Sequence, residues 1–224
     1  MSEAPNALIV CPMEIERAAL AEHRAIRAAR VVVCGPGSAA VGRWAKGVTT
    51  APSLVILAGV AGGLAPELAG GEAAVVHEVI DDRGMAVPCP LQCANARKGW
   101  RVASVASVIT TPAAKQALRA RTGAHIVDLE SAAFAREVSA RGWSWAIVRG
   151  VSDTVTDALP PEIETLVDAR GRTRTLAAAA LVIRKPSLVP QFRLLGQRTA
   201  EAMRNVAAII EVLLAEHATA RAGA

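Results

Sequence analysis

Val127-Asp128-Leu129-Glu130-Ser131-Ala132-Ala133-Phe134-Ala135 ends a short apolar run and opens an amphipathic one. After one helix length comes Ala146-Ile147-Val148-Arg149-Gly150-Val151-Ser152-Asp153, an apolar run that stops at a hydroxyl and a carboxylate. This pattern is strand, helix, strand, with an acid at each strand exit. In open α/β sheets ligands gather outside the carboxyl ends of the strands, which makes Glu130 and Asp153 the first candidate site residues. Taken singly, Asp128 and Glu130 fit the ordinary role of acids in a helix's first turn, where they meet the positive end of the macrodipole.

The segments on the N-terminal side repeat the alternation. Ala7 to Pro12 is an apolar run ended by proline, and Met13 to Arg30 predicts a helix with Glu14 and Glu16 at the joint. Val31 to Cys34 predicts a second strand. The turn Gly35-Pro36-Gly37-Ser38 that follows offers backbone N–H groups to an anion, although its spacing is that of neither a Walker loop nor a dinucleotide fingerprint. Leu54 to Ala58 lacks polar alternation, as a strand buried on both faces does, and Gly59-Val60-Ala61-Gly62-Gly63 reads as a glycine-rich turn that lets backbone approach a ligand. Further strands are predicted at 72–80, 100–109 and 125–128, with a helix from Thr111-Pro112 to Thr122 and a loop or short hairpin over 84–100. The expected fold is one α/β domain: a three-layer sandwich around a mixed, mostly parallel sheet, with a core over 7–157 and a helical C-terminal extension over 158–224.

Composition narrows the function. A chain of 224 residues with 52% hydrophobic content buries a core of single-domain size, and with 3% aromatics that core is aliphatic. The net charge of +5 is spread along the chain rather than clustered with aromatics, which disfavours nucleic-acid binding. Cys11, Cys34, Cys89 and Cys93 have neither zinc spacing nor the density of a secreted disulfide scaffold, so a reducing cytoplasm is expected. Cys89 and Cys93 with His77 lack a fourth ligand, so no metal is expected. Neither a signal peptide nor a membrane span is read from the sequence. Beyond Asp153 the predicted helices 176–184 and 189–217 carry apolar positions at helical spacing, among them Phe192, Leu195, Met203, Val206, Ile210 and Leu213, with arginines between.

Four blocks in order, Val10-Cys11-Pro12-Met13-Glu14-Ile15-Glu16, Ala58 to Leu64, Val127 to Ala133 and Val148 to Asp153, resemble the purine nucleoside phosphorylase and methylthioadenosine/S-adenosylhomocysteine nucleosidase superfamily. The continuation from Asp157-Ala158-Leu159-Pro160-Pro161 through Arg172 and the basic tail looks like its hopanoid-associated phosphorylase subgroup, linked to removing adenine from adenosylhopane. The resemblance implies cleavage of the N-glycosidic bond of a purine nucleoside without a cofactor, in a homo-oligomer. Glu130 would accept hydrogen bonds from the ribose hydroxyls. Asp153 would protonate the purine from a partly desolvated pocket that raises its pKa, with Ser152 and Arg149 orienting. Leu129 would pack beside the sugar and Asp128 would border it, while Gly59, Val60, Ala61 and Gly62 would line the pocket. Gly35, Gly37 and Ser38 would be the weaker anion site if inorganic phosphate is co-substrate.

The positions that hold phosphate in phosphorylases look like Glu16 and Val60 here, and a carboxylate there repels a phosphate dianion; the resemblance to the nucleosidase branch implies that Glu16 is catalytic and polarises water, while the acceptor, phosphate or water, stays open. The alternatives are a general methylthioadenosine/S-adenosylhomocysteine nucleosidase and a non-catalytic nucleoside-binding protein. A lipid-linked nucleoside would need an apolar entrance, with Leu188, Val189, Phe192 and Leu195 as candidates, and weak peripheral contact with an anionic membrane.

Overall fold

The computed structural model describes residues 6–91 and 99–223. Its strands are β1 (Ala7–Cys11), β2 (Arg30–Val33), β3 (Leu54–Gly63), β4 (Ala73–Ile80), β5 (Ala86–Pro88), β6 (Trp100–Ser104), β7 (Ile126–Asp128) and β8 (Trp145–Asp153). Its α-helices are α1 (Glu14–Ala21), α2 (Ser38–Gly47), α3 (Pro112–Thr122), α4 (Ser131–Ser139), α5 (Thr175–Arg184) and α6 (Val189–Ala222).

The sheet is mixed with parallel pairings in the majority, as expected, but it is not the open middle layer of a simple sandwich. β3 pairs with β8, β8 with β4, β4 with β6, β6 with β7, and β7 returns to β3, so five strands close into a barrel-like ring. β1 and β2 extend the sheet from β3, and β5 extends it from β4. The closure depends on the length of β3. Gly59 to Gly63 do not form the expected turn; they prolong the strand to ten residues. One edge of β3 carries β8 along most of its length. The other edge carries β1 at Leu54–Leu57 and β7 only at Gly62 and Gly63. Between these partners the two neighbouring strands diverge and leave a gap.

Two cores flank the sheet. On one face α2 and α4 pack through Val41, Phe134 and Val138, with Phe134 stacked on Trp44 and edge-on to Trp145. On the other, α6 lays Met203, Val206, Ala207, Ile210, Leu213 and Leu214 against Ile56, Ala58, Ala146 and Val148. The predicted second tail helix is therefore divided. Its part from Ala202 to Leu214 is buried in the core, whereas α5 and the first turns of α6 bury no residue. The helix expected over 13–30 stops at Ala21, and a 3-10 turn at Ile26–Ala28 leads into β2. The predicted strand 100–109 ends at Ser104.

Gly150 fixes how closely α6 approaches: a Cβ there would lie 2.7 Å from the Ala202 Cβ and 3.1 Å from the Ala202 carbonyl oxygen. Gly150→Val should wedge α6 off β8 and destabilise the fold by about 1–3 kcal/mol, the usual cost of overpacking, measurable as a lower urea midpoint at unchanged slope.

Candidate active site

The buried polar residues gather at the gap in β3 and at the exits of β7 and β8. Glu16 is the third residue of α1, and the sequence alone allows a solvated first-turn acid there. That description fits Glu14, which pairs with Arg17 at the surface. Glu16 instead turns inward and is buried. One carboxylate oxygen accepts the Met13 N–H (2.8 Å) and the other accepts the Val60 N–H (2.8 Å), a donor that β3 has left over where β1 and β7 part. Burial pushes the Glu16 carboxyl up to about 7, against the pull of Arg149 and of the two backbone donors.

Arg149 lies in register with Gly59 on the adjacent strand and is fully buried. It is more than an orienting residue. Its Nε and Nη2 donate to Asp128 Oδ2 (2.9 and 2.6 Å), and Nη2 also reaches Glu130 Oε2 (3.2 Å). Burial works against its charge, but Asp128, Glu130 and Glu16 outweigh burial and hold it as a cation. Its Nη1 has no hydrogen-bond partner among the described residues. A Cβ on Gly59 would collide with Glu16 Oε1 and come within 2.8 Å of that Nη1, so the bare backbone at 59 is what lets carboxylate and guanidinium converge.

Asp128 is fully engaged: besides Arg149 it accepts the Ser131 N–H (3.1 Å) and the Ser131 hydroxyl, tying the end of β7 to the start of α4. Glu130 keeps more freedom. It accepts the Gly37 N–H (2.7 Å), and burial pushes its carboxyl above the ordinary range despite Arg149, with Asp128 adding to the rise. Of the proposed anion loop, the Gly37 donor thus serves a carboxylate of the chain itself, and the Ser38 hydroxyl donates to the Leu129 carbonyl (3.2 Å). Gly35 passes under residue 169, where a Cβ would lie 2.5 Å from the Ala169 oxygen.

Asp153 sits four residues beyond Arg149, about 13 Å along the strand at about 3.3 Å per residue. A register shift between Ala61 and Gly62 sets it opposite Gly62, and such bulges re-aim side chains. It is buried, as expected, and Ser152 donates to its Oδ1 (2.7 Å). The sequence reading assigned it no counter-ion. The structure supplies one: Lys115 of α3, fully buried, places its ammonium on Asp153 Oδ2. Nothing in the sequence flags Lys115, because a lysine in the first turns of a polar helix reads as solvated. Leu159, Leu194 and Leu195 line a small opening beside Ser152 and Asp153; of the four entrance residues named above, only Leu195 is among its lining residues. A separate cavity of about 460 Å³ between Asp81, Arg83, Ser104 and Arg121 contains none of these acids.

Cys93 lies outside the described residues, so the metal alternative reduces to Cys89 and His77. Among the described residues no group of three or more His, Cys, Asp or Glu side chains is arranged to hold a metal ion.

No protein-family model and no curated protein matches the sequence. The fold does match solved structures. It is similar to futalosine hydrolase of Helicobacter pylori strain 26695 (TM-score 0.67, 13% identity, over 94% of this chain and 97% of that one). It is similar to S-adenosylhomocysteine nucleosidase of Streptococcus pyogenes in complex with 5-methylthiotubericidin (TM-score 0.63, 17% identity, over 93% and 95%). The same holds for the 5'-methylthioadenosine/S-adenosylhomocysteine nucleosidase of Colwellia psychrerythraea in complex with adenine (TM-score 0.62, 16% identity, over 93% and 94%). The chain shares the fold of these hydrolase and nucleosidase structures.

Replacing Arg149 by Met should cost about 3–5 kcal/mol of folding stability, because Asp128 and Glu130 would stay buried without their cation. Chemical unfolding at pH 7 measures this, and the loss should shrink as pH falls and Glu130, whose carboxyl burial holds above its ordinary value, takes up a proton.

Proposed function

We propose that this chain is a purine nucleosidase that hydrolyses the N-glycosidic bond of an adenine nucleoside. The observation that carries this reading is the pairing of the Glu16 carboxylate, clamped by two backbone N–H groups, with the unpartnered Nη1 of Arg149. Together they form an acceptor and a donor suited to grip one water molecule. Glu16 takes a proton from that water as it attacks the anomeric carbon. Its raised pKa brings it near the value at which a general base works best at neutral pH. Glu130 faces the ribose hydroxyls and Asp153 the leaving base, so charge is stabilised at both ends of the breaking bond. Water is favoured over phosphate on charge grounds: Glu16, Asp128 and Glu130 surround one arginine, and this excess of acids repels a dianion.

The direct test is release of free adenine from adenosine, methylthioadenosine and S-adenosylhomocysteine with and without inorganic phosphate. Release should be unaffected by phosphate, with ribose rather than ribose 1-phosphate as co-product. A strict phosphate requirement overturns hydrolysis; tight adenine binding with no turnover of any purine nucleoside leaves a binding protein. The acidic limb of kcat/KM should have a midpoint near 7, rising with pH as Glu16 ionises, and Glu16→Gln should remove it. The same raised pKa means that the stability contributed by this group is lost as pH rises through about 7.

Within this reading, we propose that the favoured substrate carries a bulky apolar 5' group, as in the hopanoid-linked nucleoside of the subgroup that the sequence resembles, and that the chain meets an anionic membrane surface. Support comes from residues 169–200, which contain no Asp or Glu but include Arg170, Arg172, Arg174, Arg184, Lys185, Arg193 and Arg198. Here α5 is apolar yet buries nothing, with Leu176 and Ile183 exposed by 87% and 80%. Among the described residues no helix is long and apolar enough to cross a membrane, so the contact would be interfacial, with each cation near the surface adding about 1 kcal/mol. Flotation with phosphatidylserine vesicles should recover the protein at low salt and lose it at high salt. Leu176→Glu with Ile183→Glu should weaken binding while leaving adenosine turnover unchanged. Absence of flotation, or a dimer in solution that those substitutions split, would reassign the face to self-association.

A further inference from the structure

We infer that Lys115 is a positioning residue of this reaction, holding Asp153 and passing to it the proton that departs with the base; the inference rests on the nucleosidase reading above. Lys115 comes from α3 and has no solvent access. Its ammonium has three N–H donors and meets three acceptors: Asp153 Oδ2, the Thr154 carbonyl (2.7 Å) and the Asp157 carbonyl (3.0 Å). The two carbonyls belong to the turn that follows β8. That turn is itself clamped, because the Asp157 carboxylate accepts the Thr154 N–H and hydroxyl (both 2.7 Å) and a guanidinium N–H of Arg198 from α6. Lysine, turn and carboxylate are therefore held as one rigid unit.

A purely structural explanation of this pair is weak. Taking a carboxylate and an ammonium out of water costs several kcal/mol per ion, and apolar replacements of both partners are often neutral or stabilising. What the pair has that an apolar pair lacks is a proton it can surrender. Lys115 holds Oδ2, and Oδ1 lies beside the Ser152 hydroxyl, which is also within 3.2 Å of the Ala61 carbonyl. Gly62 places no side chain over the carboxylate. As the C1′–N9 bond breaks, its electron pair remains on the base. A proton passes from the carboxyl of Asp153 to a base nitrogen while one Lys115 proton moves to Asp153. The pair ends as a neutral amine and a carboxylate. Glu16 holds the proton taken from water, and exchange with solvent returns one proton to Lys115 and removes one from Glu16, so the cycle balances as nucleoside plus water to base plus ribose.

The test compares two leaving groups. Adenosine needs a proton on its base, whereas 4-nitrophenyl β-D-ribofuranoside departs as a stable phenolate and needs none. Lys115→Met should lower kcat/KM for adenosine about 10²-fold or more and change nitrophenyl riboside turnover by less than about threefold, the contrast that loss of general-acid assistance produces. Equal loss on both substrates, or undiminished adenosine turnover, overturns the inference. Because Met leaves Asp153 buried without its counter-ion, Asp153→Asn and the double variant Lys115→Met/Asp153→Asn form an independent arm. If Lys115 acts through Asp153, adding the second substitution costs adenosine turnover nothing further; a further tenfold loss refutes that route. A wild-type protein that cleaves neither adenosine nor any other purine nucleoside sinks the nucleosidase reading itself, a result distinct from variants that fail to discriminate.

Discussion

The buried guanidinium of Arg149 is the constraint on which the rest of this site depends. A fully buried cation is tolerable only when its charge is met at close range, and here Asp128 meets it through two of its nitrogens while Glu130 is met in turn. Asp128 sits at the end of β7, Glu130 at the start of α4 and Arg149 within β8, so one ion cluster ties together the strand, helix and strand of the central sequence stretch. Arg149 opposes the desolvation of Glu16 and Glu130, so that burial raises Glu16 to about 7 and holds Glu130 above its ordinary value against the pull of the cation.

The second determinant is topological. A ten-residue strand exchanges one neighbour for another partway along its edge, and between them the backbone keeps a donor that sheet pairing would otherwise consume. Glu16 satisfies that donor and is buried in doing so. Ring closure by β7 places the Glu130 corner beside the same gap. The acids of the site, separated widely in sequence, thus meet because strands diverge, the circumstance that also positions ligands in open α/β sheets.

The C-terminal region divides into two physical parts. From Ala202 to Leu214 the long helix is core, and Asn205 donates to the Gly71 carbonyl (2.8 Å) to fix it against the β4 end of the sheet. Residues 175–198 instead expose apolar and basic side chains together, while Arg198 reaches Asp157 and so connects this projecting part to the turn behind Asp153. A surface that gathers apolar and cationic groups is thereby linked, through one helix, to the turn that follows Asp153.

The sequence by itself determined the elements that depend on local pattern. The unalternated run at 54–58 reads as a buried strand and is one, Thr111-Pro112 opens a helix, and Glu130 and Asp153 lie where β7 and β8 end. It also singled out Glu130 and Asp153 by their places after strands, whereas Glu16 stood out only through the family resemblance. Only the tertiary structure decided what distance along the chain conceals. Residues 59–63 became strand because β8 and then β7 pair with them, and the sheet closed because β7 could return to β3. Glu16 became a buried carboxylate, rather than a solvated one like Glu14, because a leftover N–H on β3 lies within its reach. Lys115 was invisible to periodicity, since a lysine in a polar helix is ordinarily solvated. Its burial is set by three acceptors that come from the far end of β8 and the turn beyond, and no local pattern encodes a partner 38 residues away.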